Sequence, residues 1–306
     1  MKIVNLLTQN FVSDSTVAGI GTFDGVHIGH QILINNLIDY AQRNCLRSVI
    51  FTFDHPPKGI LEPDKFPGEI TLFEEKLKII EGMGVDYVVY RPFDSQLAAL
   101  CPEGFLRNVI FEQLKAKAVF TGFNFVFGLN RSGNAKFLEE ECLVNNVYSQ
   151  ILPRVSKDGI TVSSSFIREK ILTGEVDVAG KYLGRDPFIC GRVIQGDRRG
   201  RQLGFPTANI ELEGSKKVVP MKGVYEGTVE TVSGIYPAMI NIGIRPTFHK
   251  IVLLLEAHLL NFREDIYQTE IKVNFKKRLR NEIKFPDKES LIQQINRDLS
   301  QIQNPH

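Results

Sequence analysis

The sequence predicts an α/β domain followed by a small all-β domain that ends in a helix. Strand-like and helix-like segments alternate from residue 17 to about residue 152, which is typical of a parallel sheet with helices on both faces. From residue 188 onward, strand-like runs follow one another with turns between them, which favours a small antiparallel barrel. A chain of 306 residues is long enough for two such domains, and we expect the boundary between residues 184 and 185.

The first half begins with an apolar strand over residues 17–23 and an amphipathic helix. In that helix Leu33, Leu37 and Ala41 share one face, with Ile34 and Ile38 beside them. The same spacing rules predict further strands at 48–53, 85–90, 116–121 and 147–152, and helices at 72–83 and 102–114. A serine cluster at 163–165 then precedes a short helix over 166–172.

The second half reads as strands in series. They are predicted at 188–195, 223–232, 236–242, 252–261 and 270–277. Ser233-Gly234 suggests a hairpin turn. Helical spacing returns only at 287–299, where Leu291, Ile295 and Leu299 mark one face and Asp287 suits the N-cap.

Composition favours a small-molecule ligand over nucleic acid or membrane. The formal charge is +2, and the basic residues near 272–284 lack interleaved aromatics, so we interpret them as a solvated strand face. The four cysteines are scattered without a Cys-x-x-Cys pair, which argues against zinc and redox sites. No apolar run is long enough to span a bilayer. We therefore expect a reduced, cytoplasmic protein, for which weak self-association is possible.

The stretch that carries most chemical information is 21–30, Gly-Thr-Phe-Asp-Gly-Val-His-Ile-Gly-His. It joins a buried strand to a helix start, where anionic ligands bind in open α/β sheets. His27 and His30 beside glycines suit nucleotidyl transfer, which needs aligned phosphates and donors at the α-phosphate but no protein nucleophile. The alternative is two helix-start histidines without chemistry.

Two other glycine patterns do not qualify as known phosphate sites. Residues 19–25 have Asp24 where a dinucleotide fingerprint needs its third glycine. Residues 196–204 lack the Lys-Ser/Thr pair of a Walker A loop.

The histidine stretch resembles the ATP site of the prokaryotic FAD synthetases, the bifunctional riboflavin kinase/FMN adenylyltransferases. The resemblance covers essentially the whole chain in order. It continues through 53–56 (Phe-Asp-His-Pro), 122–128, 131–133, 162–168, 183–185, 191–193, 204–209 (Gly-Phe-Pro-Thr-Ala-Asn), 223–225, 241–247, 256–258 and 280–285. It implies a Rossmann-like nucleotidylyltransferase domain at 1–184 and a riboflavin kinase domain at 185–306.

The resemblance also implies roles for matching residues. The ATP site for adenylyl transfer would comprise Gly21, Phe23, Asp24, Gly25, His27, His30, Ser163, Ser164 and Arg168. Asp54 and Asn124 would contact the flavin. In the kinase module Thr207 and Asn209 would bind ATP and Mg²⁺, with Thr207 as metal ligand, and Glu256 would be the general base toward riboflavin.

Purely structural roles are the alternative for two of these residues. Glu256 could be a strand carboxylate that faces water, and Thr207 a turn residue after Pro206. Glu256 lies inside an apolar run, where burial without purpose is costly, so we favour function. Phe123 and Gln268 depart from the family pattern, which bears on flavin contact and on one turn.

The resemblance implies two reactions: riboflavin and ATP give FMN, then FMN and ATP give FAD and pyrophosphate, with Mg²⁺ for both. The expected partners are riboflavin, FMN and ATP alone. The alternatives are a single surviving activity, or a flavin-binding regulatory protein on an enzyme scaffold.

Overall fold

The computed structural model describes residues 1–11, 13–196, 200, 203–212, 215–246 and 251–303. The chain forms two units, Met1–Ser164 and Ser165–His306. Parts of two sequence patterns lie outside the described residues, namely 197–199 and 201–202 of the glycine pattern and Thr247 of the 241–247 motif. The predicted boundary at 184/185 concerns which residues each activity requires, and it stays a prediction.

The first unit is an α/β layer structure. Its strands are β1 (Lys2–Asn5), β2 (Thr16–Ile20), β3 (Arg47–Thr52), β4 (Tyr87–Tyr90), β5 (Ala116–Gly122), β6 (Val126–Phe127), β7 (Gly133–Asn134), β8 (Tyr148–Leu152), β9 (Ser156–Lys157) and β10 (Ile160–Thr161). Its helices are α1 (Ile28–Arg43), α2 (Pro57–Leu61), α3 (Phe73–Glu81), α4 (Ser95–Ala98), α5 (Pro102–Gly104), a π-helix (Phe105–Gln113) and α6 (Ala135–Val144). Helix α7 (Ser164–Leu172) begins at Ser164, which is the last residue of the first unit.

Six strands form one parallel sheet in the order β1-β4-β3-β2-β5-β8. Successive side chains of a strand point to opposite faces, so both faces need cover. On β2, Val17 packs in the cluster that contains Leu37 of α1, and Ala18 packs in the cluster that contains Val109 of the π-helix. The predicted parallel sheet with helices on both faces is confirmed.

Glycine at position 19 lets α1 lie directly against β2. A Cβ there would come within 2.7 Å of the Leu37 side chain and 2.9 Å of Ile50. Real Cβ atoms do not approach so closely, and interiors pack without room to spare. The close approach anchors the helix whose first turn follows the histidine stretch.

Several elements of the first unit were not predicted. The edge strand β1 pairs with β4 although its sequence is polar at two of four positions. Helix α6 was not predicted either. The predicted helix over 102–114 is mostly a π-helix, in which the Leu114 amide donates to Val109 O at 3.0 Å. Apolar spacing at 105, 109 and 110 fits either helix type, so the sequence could not separate them.

The second unit is a closed antiparallel barrel. After α8 (Val176–Leu183) come β11 (Phe188–Ile194), β12 (Ala208–Glu211), β13 (Gly223–Thr231), β14 (Gly234–Pro246), β15 (Ile251–Leu259) and β16 (Glu270–Arg280), then α9 (Lys288–Gln303). The barrel order is β11-β12-β15-β14-β13-β16, and β16 pairs back with β11. The predicted barrel, the hairpin at Ser233-Gly234 and the terminal helix are confirmed; β12 and α8 were missed.

Alternation along the barrel strands separates its core from its outer face. Leu255 and Ala257 of β15 are fully buried in the core with Ile240 and Ile242 of β14. The residues between them therefore point to the outer face. Glu256 lies there, because it stands between two core residues.

A buried ion pair ties α9 to the end of β16. Arg280 Nη2 and Nε lie 2.7 Å and 2.9 Å from Asp298 Oδ2, and Asp298 is 1% exposed. Gln294 donates to the other carboxylate oxygen at 2.9 Å. Both oxygens are thus bonded, as a buried carboxylate requires.

Within the described part of the chain, none of the helices combines the length and apolarity needed to cross a membrane.

Replacing Asp298 with alanine is expected to lower the free energy of unfolding by about 3–5 kcal/mol, since it strands a largely buried guanidinium. Urea unfolding followed by far-UV circular dichroism measures this. The control is Glu289→Ala, an exposed carboxylate on the same helix, with an expected effect under about 1 kcal/mol. Equal effects of the two variants would contradict the assigned stabilising role of the ion pair.

Candidate active sites

The first candidate site lies where the order of successive strands in the parallel sheet reverses. Strand β2 has β3 on one side and β5 on the other, and the chain leaves β2 through residues 21–27 to enter α1. Ligands of open α/β sheets bind at this switch point, outside the carboxyl ends of the strands. The strand predicted to reach Phe23 ends at Ile20, so the histidine stretch is a longer turn than expected.

The turn has an unusual backbone. Phe23 and Val26 have φ of 52° and 39°, and both side chains are buried. A β-branched residue such as Val26 rarely adopts positive φ, and such conformations cost about 1–3 kcal/mol each. They persist only where surrounding contacts fix them, and they cluster at functional sites.

Asp24 supplies several of those contacts. Its Oδ1 accepts from the amides of Ile70 and Thr71 at 2.9 Å and 3.1 Å. Its own carbonyl accepts from Ser164 Oγ at 2.8 Å. The Gly25 amide donates to Thr71 Oγ1 at 3.0 Å. Asp24, predicted as an ATP-site residue, thus directs at least one carboxylate oxygen to the protein backbone.

The two predicted histidines lie together at the start of α1. His27 is the N-cap, 7% exposed, and its Nδ1 accepts from the His30 amide at 3.3 Å. A neutral ring that accepts at Nδ1 carries its proton on Nε2 and is a donor there. The imidazole rings stack with centroids 3.6 Å apart, and Phe23 packs edge-on against His30. The arrangement joins the histidine side chains with a helix N-terminus, whose positive dipole end favours anions.

Lys76 is a residue of this site that the sequence analysis missed. It is 3% exposed, and its Nζ donates to Thr22 O, Thr52 Oγ1 and Phe53 O at 3.2, 3.1 and 2.7 Å. Burial lowers the pKa of its ammonium to about 8, against the opposing pull of nearby carboxylates. The sequence signal for this residue was a lysine on the same helix face as Phe73 and Ile80, which predicts a buried ammonium.

The end of β3 carries a second charged group. Asp54 accepts from the His55 amide at 2.8 Å, and His55 Nδ1 lies 2.9 Å from Glu69 Oε1. Glu69 is buried, and that burial raises the pKa of its carboxyl group, partly offset by His55. Asp54, a predicted flavin contact, is half-buried at this edge.

The end of β5 carries the other predicted flavin contact. Asn124 is exposed two residues beyond the strand. The neighbouring Phe123 ring is partly exposed and lies 5.2 Å from the Arg154 guanidinium. The Phe123 amide donates to Leu152 O at 2.9 Å, which extends the pairing of β5 with β8.

The serine segment is divided between the units. Ser163 and Ser164 are half-buried residues of the first unit, and Ser164 is bonded to the histidine turn. Arg168, also half-buried, lies on α7 in the second unit.

The second candidate site lies on the outer face of the barrel. Glu256 of β15 pairs with Asn209 of β12 on one side and Asn241 of β14 on the other. Asn241 Nδ2 lies 3.5 Å from Glu256 Oε2. Strand register therefore brings together two residues predicted from the sequence and adds Asn241, which was quoted only within a motif.

The segment before β12 is fixed against this face. Asn209 is 5% exposed and donates from Nδ2 to Thr207 O at 3.3 Å. His258 Nδ1 lies 2.8 Å from Pro206 O. A Cβ at Gly196 would come within 2.5 Å of Asn209 Nδ2, so a larger residue there would displace the Asn209 side chain. Thr207 is thereby held within reach of the strand that carries Asn209.

Family models match both halves of the chain. An FAD synthetase model matches residues 10–166, and a riboflavin kinase model matches residues 183–305.

Curated relatives match nearly the whole chain. The Escherichia coli K12 protein named bifunctional riboflavin kinase/FMN adenylyltransferase is 35% identical and covers 93% of this chain and 91% of its own. Proteins of the same name from Bacillus subtilis and Haemophilus influenzae are each 34% identical, covering 92% and 97% of this chain and 90% and 96% of their own. A crystal structure described as a macrolide-efflux protein from Streptococcus pneumoniae is 30% identical, with a TM-score of 0.91 and complete coverage of both chains. Efflux is named for that protein alone, whereas the two family models and these curated relatives all name flavin-related enzymes.

Replacing Asp24 with alanine is expected to destabilise the first unit by about 3 kcal/mol, because two buried amides lose a charged acceptor. Asp24→Asn keeps an oxygen acceptor and should cost about 1 kcal/mol. Thermal unfolding of the two variants measures the difference. A loss from Asp24→Asn as large as from Asp24→Ala would contradict the acceptor role.

Proposed function

The chain belongs to the family of bifunctional riboflavin kinase/FMN adenylyltransferases, and we propose that its two candidate sites divide the two reactions. The chain phosphorylates riboflavin with ATP to give FMN and ADP. It then transfers AMP from a second ATP to FMN, which gives FAD and pyrophosphate. In our proposal residues 1–184 carry the adenylyl transfer and residues 185–306 carry the phosphorylation.

The stacked histidines at the start of α1 are the observation that supports the first assignment. In adenylyl transfer an FMN phosphate oxygen attacks the α-phosphorus of ATP and pyrophosphate leaves. The attacking group is already a nucleophile, so the site must align phosphates and stabilise charge on the α-phosphate. We propose that His27, His30 and the N-terminus of α1 stabilise that charge.

The remaining residues predicted for the first site have proposed supporting roles. Phe23 and Gly25 give the turn its shape through positive φ, and Asp24 holds it. Gly21 is the first residue after β2. Ser163, Ser164 and Arg168 are proposed to hold the triphosphate. Asp54 and Asn124 follow β3 and β5, the two neighbours of β2, and are proposed to contact the flavin.

Glu256 is proposed as the general base of the phosphorylation. The 5′-hydroxyl of riboflavin is a poor nucleophile, and a positioned carboxylate accepts its proton as the oxygen attacks the γ-phosphorus of ATP. Glu256 is half-buried on the outer face, beside Asn209 and Asn241. It is therefore held in place without belonging to the apolar core.

Mg²⁺ is proposed for both reactions, and Thr207 and Asn209 are proposed to bind it in the kinase site. Their hydroxyl and amide oxygens are hard donors of the kind this ion prefers. The described residues contain no group of three or more His, Cys, Asp or Glu that could hold a metal. Thr207 and Asn209 would supply few protein ligands, which fits an ion bound mainly by phosphates and water. Such an ion would neutralise charge on the transferred phosphoryl group.

ATP as co-substrate of both reactions supports a cytoplasmic location, because ATP is an intracellular metabolite. Neither reaction requires a nucleic-acid, membrane or protein partner.

Replacing His27 or His30 with alanine is expected to lower FAD formation by about 10²–10³, the usual effect of removing one donor at developing charge. FMN formation from riboflavin should be unchanged, because the barrel carries it. The measurement is incubation with ATP, Mg²⁺ and either riboflavin or FMN, followed by chromatographic separation of flavins. EDTA should stop both reactions of the unaltered protein. Undiminished FAD synthesis by both variants would contradict the site.

Replacing Glu256 with glutamine is expected to lower FMN formation by about 10²–10⁴, since the amide cannot accept the hydroxyl proton. Conversion of supplied FMN to FAD should persist, and this serves as the folding control within the same chain. A variant that loses FAD formation and keeps FMN formation would overturn the division between the units.

A further inference from the structure

The buried ammonium of Lys76 bridges two strand ends under the nucleotide turn. Its acceptors are the carbonyls of Thr22 and Phe53, which follow β2 and β3, and the hydroxyl of Thr52. Thr52 Oγ1 in turn donates to Thr22 O at 3.1 Å. All three donor hydrogens of an ammonium thus have acceptors in the framework of the site.

The same ammonium is surrounded by acidic groups. Asp24, Asp54 and Glu69 all act on it electrostatically, and His55 bonds to Glu69. A crevice that binds the polyphosphate of ATP gains nothing from uncompensated carboxylates, because like charges repel strongly at low dielectric. Lys76 offsets part of that negative charge where the substrate phosphates would lie.

The turn that begins at Thr22 also needs external support. Phe23 and Val26 adopt positive φ, and His27 follows immediately. A displacement of about 1 Å in a positioned group can lower a rate by about 10²-fold. Contacts that fix Thr22 therefore bear directly on where the histidine rings are placed.

We propose that Lys76 is a positioning residue for adenylyl transfer. Its ammonium fixes the ends of β2 and β3 and balances the neighbouring carboxylates, so that the turn presents His27 and His30 to the α-phosphate. This inference rests on the proposed assignment of adenylyl transfer to the first site.

A pH dependence follows from the buried position. The ammonium, with a pKa of about 8 in the folded chain and 10.5 in its ordinary range, loses its proton in mildly alkaline solution. FAD formation should then decline above pH 8. Between pH 8 and 10.5 the unfolded chain holds the proton of Lys76 more tightly than the folded chain does, so the free energy of unfolding rises with pH through this group. Titration of Lys76 therefore does not lower activity by unfolding the protein. On α3 itself, the carboxylate of Glu75 accepts from the Leu72 amide at the helix start.

The test compares three variants of the full chain. Lys76→Met removes the charge and keeps the apolar stem, Lys76→Arg keeps a charge that does not titrate in this range, and Lys78→Met alters an exposed lysine on the same helix. Rates of FAD formation from FMN and of FMN formation from riboflavin are measured from pH 6.5 to 9.5. The kinase reaction is the internal reference for the ionisation of ATP and for the amount of folded enzyme.

Lys76→Met should lower kcat for FAD formation by about 10²-fold. The KM for ATP should change by less than about threefold in either direction. Kinase rates and Lys78→Met should match the unaltered chain. Lys76→Arg should restore part of the rate and move the alkaline decline beyond pH 9. Normal FAD formation by Lys76→Met overturns the proposal, as does an unchanged decline near pH 8 in Lys76→Arg.

If Lys76→Met also loses kinase activity, the profile of the unaltered chain decides. A decline of FAD formation above pH 8 that the kinase reaction does not share supports the proposal, and parallel profiles overturn it. Failure of the underlying assignment is distinguishable, since in that case the His27 and His30 variants would still make FAD.

Discussion

The first unit depends on one backbone constraint, the fixed turn between β2 and α1. Positive φ at Phe23 and Val26 brings the chain round so that two imidazoles stack at the start of a helix. Such a conformation is stable only when it is held from outside. Asp24 does so through the amides of Ile70 and Thr71, and Lys76 and Ser164 do so through the carbonyls of Thr22 and Asp24 within the turn. The turn is thus fixed by groups of the protein itself, which is what the proposed charge stabilisation requires.

In the barrel, the candidate site depends on strand register and not on a fixed turn. Side chains alternate between an apolar core and the outer face, so the residues proposed for catalysis do not occupy core positions. Glu256 illustrates the point. The sequence places it in an apolar run, which suggested costly burial, yet alternation puts it on the outer face between two asparagines. Its neighbours Leu255 and Ala257 supply the apolar character.

Local patterns predicted most of this fold. Spacing identified α1 and the central strands of both units, and the histidine stretch was correctly placed after a buried strand. Elements with weak local signals were missed: β1 is a polar edge strand, and β12 has four residues. The roles of Asp24 and Lys76 in fixing the turn could not be predicted, because Asp24 bonds to the Ile70 amide 46 positions away and Lys76 to Thr22 O 54 positions away.

The central claim is that the turn at residues 21–30 holds ATP for adenylyl transfer. A crystal structure with FMN and a non-hydrolysable ATP analogue tests it most directly. The account predicts an α-phosphate oxygen within hydrogen-bonding distance of His27 and His30, with Phe23 and Val26 still at positive φ. An analogue bound away from this turn, with the histidines making no contact to phosphate, would contradict it.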